Sequence, residues 1–212
     1  MPPEPRRLPA LMALTLDGTG VAHAEQAARL CAAGVRWVQL RMKRADPGEW
    51  RREARAAVAA CHRHGALLTV NDSVDVALEA GADGVHLGRH DGDWAAARAR
   101  LGPRSLLGGT VNDERDARRA AGSDLDYVGI GPLRFTATKQ NLSPVLGLEG
   151  IRALLPLLGG CPAWVIGGVR PSDLPAAREA GAAGVAVSSG LQAEGRVQAY
   201  LAAWDAAAAL SP

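Results

Sequence analysis

A short phrase returns four times along this chain: an Ala-Gly pair, a brief spacer, then an apolar tetrapeptide. Ala33-Gly34 precedes Trp37-Val38-Gln39-Leu40, and Ala80-Gly81 precedes Gly84-Val85-His86-Leu87. Ala121-Gly122 precedes Tyr127-Val128-Gly129-Ile130, and Ala180-Gly181 precedes Gly184-Val185-Ala186-Val187. Glycine is the residue that most readily closes a helix in a left-handed turn. Each phrase therefore predicts a helix-to-strand junction, with space for two strand–helix units between copies. The intervening strands are visible at 67–70, after a helix over 50–64, and at 106–110, after an Ala/Arg-rich helix over 94–101. Another lies at 163–166, after a helix over 148–158. Residues 11–16 supply a first strand, giving eight, and a last helix runs over 197–209. Strict alternation implies a parallel sheet with right-handed crossovers. Eight such units close into a single (β/α)8 TIM barrel, an α/β fold. A doubly wound open sheet is the alternative, but no G-x-G-x-x-G follows the first strand.

At 212 residues the chain suits one well-buried domain. Residues 1–10 are expected as a flexible N-terminal tail and 11–212 as the barrel domain. Arg6-Arg7 and the apolar stretch behind them faintly resemble a signal peptide. Pro9 and Thr15 interrupt that stretch, Asp17 ends it, and no small-residue cleavage site follows. No run approaches the ~18 apolar residues of a membrane span, so no membrane partner is expected. A net charge of +2 is too small to imply nucleic-acid binding. Cys31, Cys61 and Cys161 are scattered and odd in number, which argues against a disulfide framework and for a reduced, cytoplasmic setting. An aliphatic outer helix face could pair subunits into a homo-oligomer.

Function in such a barrel gathers at the carboxyl ends of the strands. Strand two ends in Gln39-Leu40-Arg41-Met42-Lys43, where residues 39, 41 and 43 share one face of an extended segment. An amide, a guanidinium and an ammonium thus point to one place. Strand three ends in Asn71-Asp72, and Asp91 follows strand four. Two carboxylates from neighbouring strand ends could share Mg²⁺, which prefers oxygen ligands and usually grips substrate phosphates as well. Asp72 could instead be only a helix cap. Strand five ends at Thr110, and strand six leads into Gly131-Pro132-Leu133-Arg134-Phe135-Thr136-Ala137-Thr138-Lys139. Hydroxyls, backbone N–H groups and one ammonium suit phosphate oxygens. Gly167-Gly168 after strand seven and Ser188-Ser189 after strand eight fit the usual phosphate site of this architecture. Two anionic centres follow, one around Arg41, Lys43, Lys139 and Mg²⁺, the other around Gly168, Ser188 and Ser189.

These pieces together resemble the thiamine phosphate synthase family: Gln39-Leu40-Arg41-x-Lys43, Asn71-Asp72, Gly84 to Gly88 with Asp91, and Thr136-x-Thr138-Lys139. Ile166-Gly167-Gly168 and Val187-Ser188-Ser189 complete the resemblance, which spans about 11–191. It implies a transferase that joins hydroxymethylpyrimidine diphosphate to a thiazole ethyl phosphate, plain or carboxylated, and releases diphosphate. It implies that Gln39, Leu40, Arg41, Met42, Lys43, Asn71, Thr110 and Lys139 hold the pyrimidine diphosphate, with Arg41, Lys43 and Lys139 catalytic. Thr136, Ala137, Thr138, Gly168, Ser188 and Ser189 would hold the thiazole phosphate. Asp72 and Asp91 would be the Mg²⁺ ligands. In the family the diphosphate leaves first and the thiazole nitrogen captures the resulting pyrimidine carbocation.

The chain departs from the family pattern at Met42, where many relatives carry an acid, and in the basic Arg89-His90 before Asp91. Met42 is expected to point away from residues 41 and 43, and His90 to face solvent. His86 is expected as a hydrogen-bonded core histidine, with His23, His62 and His64 exposed on helices. A thiazole tautomerase shares this fold, but it needs a positioned acid/base where this chain has Asn112. A non-catalytic barrel sensing thiamine precursors is the other rival, and it would have no use for two metal carboxylates.

Overall fold

A computed structural model describes residues 7–135, 143–193 and 195–209. Eight strands form a closed, wholly parallel barrel in chain order: β1 (Leu11–Leu14), β2 (Trp37–Leu40), β3 (Leu67–Asn71), β4 (Gly84–Leu87), β5 (Leu106–Val111), β6 (Tyr127–Ile130), β7 (Ala163–Ile166) and β8 (Gly184–Val187). β1 pairs with β8 in the register Leu11↔Val185, which closes the ring. The helices are α1 (His23–Ala32), α2 (Pro47–Arg63), α3 (Val74–Ala80), α4 (Trp94–Leu101), α5 (Glu114–Ala121), α6 (Gly147–Leu154), α7 (Leu174–Glu179) and α8 (Arg196–Ala209). No helix among the described residues is long and apolar enough to cross a membrane.

Local chemistry explains the boundaries. Asp46 caps α2 by accepting from the N–H groups of Gly48 and Glu49, and Pro47 presets the first helical φ. That cap starts the helix earlier than the expected residue 50. Ser73, Asp93 and Asp113 cap α3, α4 and α5 in the same way. Of the four recurring glycines, Gly34, Gly81 and Gly181 have positive φ, whereas Gly122 lies at −95° and needs no left-handed turn. The helix expected over 148–158 divides into α6 and a 3-10 turn, Leu155–Leu158, where Pro156 lacks the N–H to continue the α ladder. β1 stops two residues short of the expected residue 16, because the next residues turn to serve side chains of α1.

Two apolar layers hold the molecule. The larger lies between barrel and helices, and includes Leu40, Val70, Val85, Leu107 and Val165. The smaller fills the barrel with Met12, Leu14, Trp37, Tyr127, Trp164 and Ala186. Trp37 meets Tyr127 and Trp164 edge-on, with centroids 4.7 and 5.1 Å apart. Glycine makes room for these rings: a Cβ at Gly108 would lie 2.1 Å from Tyr127 Cζ, and one at Gly184 would lie 2.3 Å from Trp164 Nε1. Residues 8–10 are no free tail, because the Pro9 carbonyl accepts from Trp164 Nε1 at 3.1 Å and that of Ala10 from Val185 N at 2.8 Å. A three-residue apron thus closes the amino-terminal face of the barrel.

Candidate active site

The carboxyl ends of the strands surround an open cavity. Gln39, Arg41, Lys43, Asn71, Asp72, Asp91 and Thr110 line one side, and Gly168, Ser188 and Ser189 the other. The side chains of Leu40 and Met42 point instead into the layer between barrel and helices, as strand alternation requires. The pyrimidine-side expectation therefore applies to the side chains of 39, 41 and 43 and not to those of 40 and 42. Thr136, Ala137, Thr138 and Lys139 lie outside the described residues.

Asp72 sits in left-handed backbone, φ 69°, directly after β3. Its N–H donates to the His86 carbonyl at 2.8 Å, and its carboxylate takes an ion pair from Lys43. Asp91 is turned inward by a tight loop, in which its Oδ2 accepts from Gly88 N at 2.8 Å. A Cβ at Gly88 would fall 2.5 Å from that same oxygen, so only glycine leaves Asp91 in place. The two carboxyl groups are within hydrogen-bonding reach of each other. Burial and the neighbouring Asp91 push Asp72 up to about 6, against the pull of Lys43. Burial also raises Asp91, but its bonds to Asp72 and to Gly88 N hold it below the ordinary carboxylate range. Two neighbouring carboxylates disfavour each other's charge, and a cation between them relieves that. Among the described residues no group of three or more Asp, Glu, His or Cys could hold a metal. The donor set fits an ion content with two carboxylates, water and substrate phosphate, as Mg²⁺ is. It does not fit a structural zinc site.

On the opposite side, Gly167 and Gly168 adopt φ 95° and 64°. A Cβ at Gly167 would meet Pro132 at 2.6 Å, so the loop after β7 lies against the segment leaving β6. Arg134 braces it: its N–H donates to the Gly167 carbonyl at 2.9 Å, its guanidinium reaches the Gly168 carbonyl at 3.2 Å, and it grips Asp173 with both nitrogens. Tyr200 of α8 donates to the Val169 carbonyl at 2.7 Å. Ser188 Oγ is buried in this cavity wall with no hydrogen-bond partner among the described residues. A buried hydroxyl in that state suits a ligand acceptor.

His86, expected in the core, also lines the cavity and meets Thr110 Oγ1 at 3.0 Å. Asn112 is buried, and its amide donates to the Gly131 carbonyl. A carboxamide held there moves no proton, so Asn112 cannot be the acid/base that tautomerase chemistry would place at this position. Arg89 is drawn away from the cavity by ion pairs to Asp113 and Asp116. His62 pairs with Asp83 on the outside, but His23, expected exposed, is buried. Neither that burial nor the Arg134–Asp173 brace has a local sequence signature, since each partner comes from a different element.

A sequence profile of thiamine monophosphate synthases matches residues 13–191 of the chain. A thiamine-phosphate synthase from Bacteroides fragilis is 39% identical over 186 residues, covering 86% of this chain and 91% of its own. A thiamine-phosphate synthase from Myxococcus xanthus is 47% identical over 170 residues, 78% of this chain and 75% of its own. Among solved structures, a thiamine phosphate pyrophosphorylase from Pyrococcus furiosus superimposes with a TM-score of 0.83 at 26% identity, covering 93% of this chain and 96% of that one.

Proposed function

The chain belongs to the thiamine monophosphate synthase family, and from that premise we propose that it joins hydroxymethylpyrimidine diphosphate to a thiazole ethyl phosphate. It is a transferase of thiamine biosynthesis. The observation that carries the finer reading is one cavity with two unlike sides. Cations and neighbouring carboxyls line one, and glycines with a buried hydroxyl that has no partner among the described residues line the other.

In this reading Arg41 and Lys43 bind the diphosphate, with Lys139 as a third cation. Gln39, Asn71 and Thr110 orient the pyrimidine portion. Thr136 to Thr138, Gly168, Ser188 and Ser189 hold the thiazole phosphate. The bond from the pyrimidine methylene carbon to the diphosphate oxygen breaks, and its electron pair leaves with the diphosphate. The thiazole nitrogen lone pair then forms the new C–N bond to the same carbon. No strong base takes part; the residues neutralise leaving-group charge and hold two rings in line. Mg²⁺ held by Asp72 and Asp91 would supply Lewis-acid neutralisation of the diphosphate.

The test is release of inorganic diphosphate from both purified precursors, with and without Mg²⁺. Asp91→Ala is expected to remain folded and to lose Mg²⁺-dependent turnover, on the order of 10²-fold or more. Unchanged rates at limiting Mg²⁺ would remove Asp91 from the site. Binding of both precursors without turnover by the unaltered chain would assign a sensor instead.

A further inference from the structure

We propose that His23 is a positioning residue, lying outside the cavity, that fixes the cationic end of β2 for diphosphate binding. The ring opens α1 and is buried between two acceptors or donors of the β1–α1 loop. Nδ1 lies 2.8 Å from Thr15 Oγ1, and Nε2 lies 3.1 Å from Asp17 Oδ1. Both partners continue to the backbone of the next strand end. Thr15 Oγ1 accepts from Arg41 N at 2.9 Å, and Asp17 Oδ2 accepts from Lys43 N at 3.1 Å. One imidazole therefore spans two hydrogen-bond chains that end on alternate residues of a single extended segment.

The chains also fix the proton positions of the neutral ring. Asp17 is a carboxylate acceptor, so Nε2 carries the hydrogen. Nδ1 is then an acceptor, and it takes the Thr15 hydroxyl hydrogen. That turns a Thr15 lone pair toward the Arg41 N–H. Every donor in the chain has one acceptor, and neither reacting group is touched.

The geometry matters because residues 41 and 43 lie beyond β2, which ends at Leu40. No sheet pairing holds their N–H groups, and Thr15 and Asp17 take that place. Gln26 of α1 ties the same loop down by accepting from Leu16 N at 2.9 Å and donating to the Leu16 and Val21 carbonyls. The strand end is thus held from α1, the opposite side from the ion pair between Lys43 and Asp72. The proposal rests on the reading of Arg41 and Lys43 as the diphosphate cations.

The experiment is calorimetric titration of the full chain with inorganic diphosphate and Mg²⁺, beside steady-state kinetics for each precursor. His23→Leu removes both contacts. Thr15→Val removes the Arg41 chain with nearly unchanged shape, and serves if His23→Leu does not fold. His23→Gln keeps a donor near the Nε2 position and so keeps the Lys43 chain. Displaced supporting groups cost roughly 10- to 100-fold. His23→Leu is expected to weaken inorganic diphosphate and raise KM for the pyrimidine diphosphate by that factor, with KM for the thiazole phosphate unchanged. His23→Gln is expected to recover most of the loss. Isotherms of folded His23→Leu or Thr15→Val equal to the unaltered chain would overturn the proposal, as would equal rises in both KM values. Failure of the unaltered chain to release diphosphate would sink the functional reading, leaving the isotherms to decide the role of His23. Failure of the unaltered chain to bind inorganic diphosphate would sink the proposal itself.

Discussion

Asp173 lies in the 3-10 turn Pro171–Asp173 after β7, yet its carboxylate does its work 39 residues back along the chain, on Arg134 beyond β6. Nη2 of Arg134 donates to it at 2.7 Å, and Arg170 N donates at the same distance. Burial raises this carboxyl, but Arg134 and the Arg170 N–H outweigh burial and hold it below the ordinary range. A carboxyl depressed in the folded state adds stability above its unfolded pKa and loses it as pH falls through the folded value. Asp173→Asn should therefore unfold more easily at pH 7, by about 1–2 kcal/mol after discounting the solvent-screened guanidinium. The gap should close in acid, as pH falls through the lowered folded-state value of this carboxyl. Urea melts at neutral pH and in acid test this, and a gap that persists in acid would assign the loss to packing. Nothing local in the sequence marks this pair. Gln39, Arg41 and Lys43, by contrast, were legible because period-two alternation along a strand is a local rule. His23 was misread for the reason Asp173 was missed: its partners, Thr15 and Asp17, come from a loop whose path no residue pattern specifies.

At the scale of elements, the strands were read nearly to the residue because each apolar tetrapeptide is buried on both faces. Helix starts were less legible, since the capping side chains of Asp46 and Asp113 lie outside the apolar periodicity. Glycines within strands carried a further message. Gly108 in β5 is the space that the Tyr127 ring of β6 occupies. A Gly→Ala change in ordinary backbone often stabilises by trimming unfolded-state entropy. Gly108→Ala should do the reverse, costing about 1–3 kcal/mol by overpacking. Combined with Tyr127→Leu, the two losses should fall short of additivity, because the smaller side chain yields the space. A double-mutant cycle with additive losses would separate the two residues.

Across the whole molecule, the barrel divides its labour along its axis. The aromatic layer and the docked residues 8–10 close the amino-terminal end, while the cavity opens at the other. Trp164→Phe removes the indole N–H that reaches the Pro9 carbonyl. It should cost about 1–2 kcal/mol in unfolding and leave the affinity for diphosphate with Mg²⁺ unchanged. A matching fall in affinity would show that the two ends are coupled through the barrel. The ring itself imposes an order on biogenesis. β1 finds its second neighbour in β8, through Leu11↔Val185, Met12↔Ala186 and Ala13↔Val187. A growing polypeptide on the ribosome therefore carries an unsatisfied strand edge from the emergence of β1 until β8 has followed it. Such an edge is a template for wrong partners. The interval between emergence of β1 and of β8 is when a nascent chain of this protein most needs a chaperone.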